Sequence, residues 1–139
     1  MKIVIIGLGY VGMSNAVLLA QHHTVVAVDL SQERVDLVNA RRSPIEDVEV
    51  EDYLATRERD LSSTTDLASA VVDADYAIIA TPTDYDPQKN FFDTSSVDNV
   101  ARAVLAADPR VQVVVKSTVP VGYIKRVRRM LDSNRIFFC

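Results

Sequence analysis

The chain has 139 residues, enough for one domain with a substantial core. Hydrophobic residues make up 48%, charged residues 24%, and the net charge is −4, so nothing global points to nucleic acid or an anionic membrane surface. No apolar run approaches the roughly 20 residues of a spanning helix, and the single Cys139 allows no internal disulfide, which fits a reducing cytoplasm.

Strand-like and helix-like patterns alternate along the chain. Residues 2–6 are a continuous apolar run, expected of a central parallel strand buried on both faces. They run directly into glycines without a small-residue cleavage site, so a strand is expected rather than a secretory leader. A helix is expected over 11–22, a β-branched strand over 24–29, and a helix over 31–40 with Val35 and Val38 inward. Residues 48–56 place Val50, Tyr53 and Leu54 at helical spacing. A strand near 60–63, a helix near 65–72 and a strand over 76–80 follow. Residues 82–94, rich in Pro, Asp and Tyr, form a long connection of the length that is often functional. Val97, Val100, Ala101, Val104 and Leu105 mark the clearest amphipathic helix. A strand over 111–115, a helix over 120–132 and a closing strand over 135–138 complete the order. In the last helix Ile124, Val127 and Leu131 face inward, and Lys125, Arg126, Arg128 and Arg129 face outward. Six strands joined by helical crossovers predict an α/β fold: one doubly wound parallel sheet, three-layer α-β-α, over residues 1–139.

The sharpest motif is Gly7-Leu8-Gly9-Tyr10-Val11-Gly12, which follows one strand, opens a helix and precedes a second strand ending in Asp29. In that context it reads as a Rossmann-type dinucleotide loop. Gly7 permits the tight turn, Gly9 lets a pyrophosphate approach the backbone, and Gly12 lets the helix lie close to the strand. The helix N-terminus offers unpaired N–H groups to the phosphates. A glycine turn without a ligand is the bland alternative. Asp29 stands where a carboxylate meets the adenosine ribose hydroxyls, favouring NAD over NADP; a turn or capping role is its alternative. Arg34 is equally readable as an adenosine contact or a solvated helix residue.

Two later strand ends carry hydroxyls: Ala80-Thr81-Pro82-Thr83 and Lys116-Ser117-Thr118-Val119-Pro120-Val121-Gly122. Each can serve a dinucleotide or simply build a turn. Pro120 suits a first helical turn, with Thr118 or Val119 beside the cap. His22 and His23 close the first helix, and no Cys or acidic cluster at ligand spacing accompanies them, so no metal is expected. The acids from Glu46 to Asp60 and the basic residues 125–129 read as solvated faces, the latter lacking the aromatic interleaving of a nucleic-acid surface.

Along its whole length the chain resembles the UDP-glucose/GDP-mannose dehydrogenase family. The resemblance is carried by the glycine loop with Tyr10-Val11, by Arg42-Ser43-Pro44-Ile45, by the run Ala80 to Pro87, and by Lys116 to Gly122. The run from Asp75 through Asp93 to Ser96 is most similar to the bacterial UDP-glucose branch. The resemblance implies NAD contacts at Val11, Asp29, Arg34, Thr83 and Thr118, with Thr118 also positioning an active-site water. It implies oxidation of a sugar C6 alcohol twice, giving a uronate and two NADH, the second step through a cysteine thiohemiacetal and thioester. The family's linking helix, UDP-sugar domain and nucleophilic cysteine find no match in these residues, and Cys139 falls on a serine position. The expected partners are therefore NAD, UDP-glucose only together with a further domain, and a second subunit of a homodimer, with no membrane or nucleic acid. Another nucleotide-sugar dehydrogenase, for GDP-mannose or UDP-N-acetylmannosamine, and a stand-alone NAD-sensing module are the alternatives.

Overall fold

The computed structural model describes residues 1–56, 60–89 and 91–139. In chain order the elements are β1 (Lys2–Ile6), α1 (Tyr10–Leu19), β2 (Thr24–Val28), α2 (Gln32–Asn39), α3 (Val48–Thr56), β3 (Leu61–Thr64), α4 (Leu67–Val71), β4 (Tyr76–Ile79), β5 (Asp84–Asp86), β6 (Phe91–Asp93), α5 (Ser95–Ala107), β7 (Gln112–Val115), α6 (Tyr123–Met130) and β8 (Ile136–Phe138). Six strands form one parallel sheet in the order β3-β2-β1-β4-β7-β8. The doubly wound Rossmann-type arrangement expected from the sequence is present.

Central β1 explains the layering. Ile3 and Ile5 belong to one core with Leu8, Met13, Ala16 and Val38, while Val4 and Ile6 belong to another with Ala77, Val97, Val104 and Val127. These four of the five β1 residues are at most 4% exposed. Each such side chain contributes about 1.5–3 kcal/mol by leaving water, which a strand collects only if helices cover both faces. Helices α1 to α3 cover one face and α4 to α6 the other. On α1 and its C-cap, Gly12, Ala16 and Ala20 recur every fourth residue and present a small, buried stripe to the sheet.

The order reverses at β1. From there the chain moves outward through β2 and β3, then returns across the sheet to β4 and moves outward the other way. The loops after β1 and β4 thus leave the same sheet edge and diverge, which opens a crevice between them.

Several elements differ from the sequence reading. Helix α1 ends at Leu19, and the Leu19 carbonyl then accepts from both His22 and His23 N–H, so the histidines stand in the turn beyond the helix. The connection over 82–94 is not plain loop: β5 and β6 pair antiparallel as a small hairpin. Its Asn90 lies outside the described residues, as do residues 57–59 of the acidic stretch. Helix α6 starts at Tyr123 instead of Pro120, and its N-cap position is Gly122 in a left-handed conformation (φ 86°). Pro120 precedes the helix and accepts from Tyr123 N–H through its carbonyl, so neither Thr118 nor Val119 caps α6. Two of the four outward basic residues are tied down. Arg128 Nε donates to the Ile136 carbonyl at 2.7 Å, and Arg126 reaches Thr94 and Asp98.

Candidate functional site

Gly7 ends β1 with φ 101°, a conformation that favours glycine, and its N–H donates to the Val28 carbonyl. A Cβ on Gly7 would lie 2.7 Å from the Ala80 carbonyl oxygen, so the loop after β1 presses against the end of β4. A Cβ on Gly12 would lie 1.7 Å from the Gly7 carbonyl oxygen, so α1 sits directly on the loop. Gly9 differs from both. Among the described residues nothing lies within 4 Å of where its Cβ would be, and it precedes α1 without any side-chain cap. The first N–H groups of α1 have no intrahelical acceptor, and the space beside Gly9 just before them is open. This is a cradle that a Cβ would fill and that an anion fits.

Asp29 follows β2 beside this cradle. One carboxylate oxygen accepts from Leu8 N–H at 2.8 Å and the other from Ser31 N–H at 2.9 Å. Its turn role and its placement at the loop thus coexist, and the cap of α2 falls to Ser31, whose hydroxyl accepts from Arg34 N–H. Each carboxylate oxygen retains a further lone pair for a sugar hydroxyl. Arg34 Nη1 lies 3.8 Å from Asp29 and donates to the Leu8 carbonyl at 3.4 Å; its side chain is 46% exposed against 15% for Asp29. Leu30, next to Asp29, is 98% exposed.

On the other side of the crevice, Val11 and the ends of β4 and β7 line a cleft of about 360 Å³. Thr83 Oγ1 donates to the Thr118 carbonyl at 2.7 Å, and Ser117 Oγ donates to the Thr81 carbonyl at 2.6 Å. Thr118 itself is exposed. The Thr81 hydroxyl is buried and finds no hydrogen-bond partner among the described residues, a group that a ligand in this cleft would satisfy. A wider groove of about 560 Å³ runs along α6 past Lys125 and Arg129, but neither the glycine loop nor a strand end lines it. Among the described residues no group of three His, Cys, Asp or Glu side chains gathers to hold a metal. No helix among them is long and apolar enough to cross a membrane.

The model of the UDP-glucose/GDP-mannose dehydrogenase family, NAD binding domain, matches residues 1–136. The chain belongs to this family. It is 47% identical over 138 residues to the UDP-glucose 6-dehydrogenase of Streptococcus pneumoniae, covering 99% of this chain and 35% of that protein. It is 40% identical over 140 residues to the UDP-glucose 6-dehydrogenase of Campylobacter jejuni, covering 99% of this chain and 36% of that protein. In structure it is similar to a GDP-mannose dehydrogenase from Pseudomonas aeruginosa, with a TM-score of 0.81, 31% identity, and coverage of 99% and 35%. The chain thus spans about a third of the length of these relatives.

As the NAD-binding domain of this dehydrogenase family, the chain gathers its sequence-nominated residues into two groups on one sheet edge. Gly7, Gly9, Tyr10, Val11, Gly12, Asp29 and Arg34 surround the glycine loop, and Thr83 and Thr118 face Val11 across the cleft. Sequence reasoning missed the orphaned role of Thr81 and the wall formed by Ser117, although both lie in hydroxyl-bearing segments it had singled out. It also missed the cluster of Thr94, Asp98, Tyr123 and Arg126 behind that wall, whose members lie up to 32 residues apart.

Proposed function

We infer that this chain holds NAD as the oxidant of a nucleotide-sugar dehydrogenase acting on the C6 alcohol of UDP-glucose. The observation that carries this is the open cradle at Gly9 between Asp29 on one side and the Thr83–Thr118 cleft on the other. The nucleotide sugar is supported by the names of the two bacterial relatives at 47% and 40% identity. When bound, NAD supplies the acceptor for hydride leaving the substrate carbon. The first-turn N–H groups of α1 hold the pyrophosphate, Asp29 accepts from the adenosine ribose hydroxyls, and Arg34 flanks the adenosine side. Thr83 and Thr118 line the nicotinamide side, where the Thr118 hydroxyl orients a water. Activity in the cytoplasm, and assembly of the complete enzyme as a homodimer, follow from the same reading.

Asp29 sets the choice of cofactor. A carboxylate about 4 Å from a 2′-phosphate is repelled by on the order of 4 kcal/mol at an effective dielectric near 20. Arg34, 3.8 Å from that carboxylate, offsets part of this. Isothermal titration of the 139-residue chain should therefore show NAD binding at least about tenfold more tightly than NADP. Asp29→Asn should weaken NAD and narrow the gap. Equal affinity of the unsubstituted chain for the two cofactors would overturn the assignment of Asp29.

A further inference from the structure

The segment carrying Thr118 spans residues 116–122, between β7 and α6. Its start is pinned to the end of β4 by Ser117 and Thr83. Its far end, Gly122, is left-handed and carries no capping side chain. That end is fixed from elsewhere. Tyr123, 2% exposed, donates its hydroxyl to Asp98 Oδ1 at 2.7 Å. Arg126 Nη2 lies 3.5 Å from the same oxygen and donates to Thr94 Oγ1 at 3.1 Å, while its guanidinium sits 5.1 Å from the Tyr123 ring centroid. Thr94 stands at the N-cap of α5, yet its hydroxyl caps nothing; Arg126 occupies it instead. Two residues later Ser96 Oγ donates to the Pro82 carbonyl at 2.9 Å, next to Thr83. Chain and hydrogen bonds together close a ring: the backbone runs from Thr118 to Tyr123 and Arg126, these bond across to Asp98 and Thr94, the chain at the start of α5 leads to Ser96, and Ser96 bonds to Pro82, whose neighbour Thr83 bonds back to Thr118.

We propose that Asp98, Tyr123 and Arg126 are positioning residues for the nicotinamide half of the dinucleotide site, fixing the Thr118 wall of the cleft against the Thr83 wall. The inference rests on the NAD reading above. None of the three lines the cleft, so they act through the segment they anchor. Two helices can pack through apolar contacts alone at less desolvation cost, so a satisfied polar cluster here contributes fixed geometry. Burial, reinforced by the Asp98 carboxylate, raises the Tyr123 pKa, so its hydroxyl remains a donor throughout the neutral range.

NAD and ADP titrated into the 139-residue chain separate this role from simple packing, because in the proposed site ADP engages the glycine loop, Asp29 and Arg34 but not the Thr83–Thr118 cleft. Tyr123→Phe should weaken NAD about tenfold, the loss of one hydrogen bond to a charged group, and leave ADP within about twofold. Arg126→Met should do the same. Arg126→Lys, at a half-exposed position that tolerates change, should recover part of the NAD affinity. NAD and ADP weakening together in step with a lowered melting temperature would reduce the cluster to packing and overturn the proposal. So would unchanged NAD affinity in folded variants. An unsubstituted chain that binds neither nucleotide overturns the cofactor reading itself, and this proposal with it.

Discussion

Gly9 and Gly12 lie three residues apart, one at the N-cap of α1 and one in its first turn, and answer to different demands. Gly12 has no room for a side chain in the folded protein, since the Gly7 carbonyl occupies the place of its Cβ; Gly9 has room, with φ −83° and nothing nearby. Gly12→Ala should cost at least about 3 kcal/mol and leave little folded chain, because backbone rather than a flexible side chain must move. Gly9→Ala should fold with a melting temperature close to that of the unsubstituted chain while losing most NAD affinity. Thermal melts paired with NAD titration check both, and a Gly9→Ala chain that binds NAD normally would move the pyrophosphate off this loop. Glycine spacing is a local property, so this much was legible in the sequence, as was Asp29 at a strand end. The Asp98–Tyr123 bond was not legible. It joins residues 25 apart, and helical periodicity marks Tyr123 only as another side chain near a helix start.

At the scale of elements, the largely apolar strands were readable, even the three-residue Ile-Phe-Phe of β8, whereas β5 and β6 are three residues each and carry aspartates in a Pro- and Asp-rich connection that reads as loop. The start of α6 was misplaced for a related reason. Pro120 has the φ of a first helical residue, but Gly122 turns left-handed after it and the helix begins one residue later. The junction between α5 and β7 shows how loops lock these elements. Buried Asp108 accepts from Arg110 Nε at 3.2 Å, Arg110 N–H at 3.0 Å and Asp73 N–H at 3.2 Å, joining the end of α5 to the turn before β4. The Arg110 hydrogen bonds hold its carboxyl below the ordinary value of 3.8. A depressed folded-state pKa contributes stability that is complete above 3.8 and is lost as pH falls through the lower folded-state value. Asp108→Asn should therefore lower the urea midpoint at pH 7 and shallow its decline between about pH 4 and pH 2. An unchanged acid limb would show that the junction does not depend on this charge. Asp66 and Asp93, lowered by hydrogen bonds from Ser69 and Ser95, keep some acid sensitivity in the variant.

For the whole molecule, the doubly wound parallel sheet followed from alternating patterns and right-handed crossovers, and the family resemblance chiefly from motifs at three strand ends, while the strand order became visible only in the structure. The sequence carries no comparable sign of a sugar pocket. The chain covers about 35% of the Streptococcus pneumoniae relative, and the resemblance implies that Cys139 is not the family's nucleophile. Cys139 lies beside Lys116, with Sγ 3.5 Å from its Nζ, and is exposed. The purified 139-residue chain should thus reduce no NAD when given UDP-glucose, measured by absorbance of NADH. Sustained turnover would show that these residues themselves supply a nucleophile and a substrate pocket, and would overturn the reading of this chain as the holder of the oxidant alone.

The contact between Gly7 and Ala80 also bears on the order of folding events. β1 and β2 pair across a short helix, but β4 meets β1 only after more than 70 intervening residues have been accommodated, Ile3 pairing with Tyr76. Closing so long a loop is slow compared with forming local helices. The crevice for the dinucleotide therefore comes into being with the central strand pairing, not with the glycine loop itself. A nascent chain that has emerged only as far as α3 carries the complete motif and still has nowhere to put a cofactor.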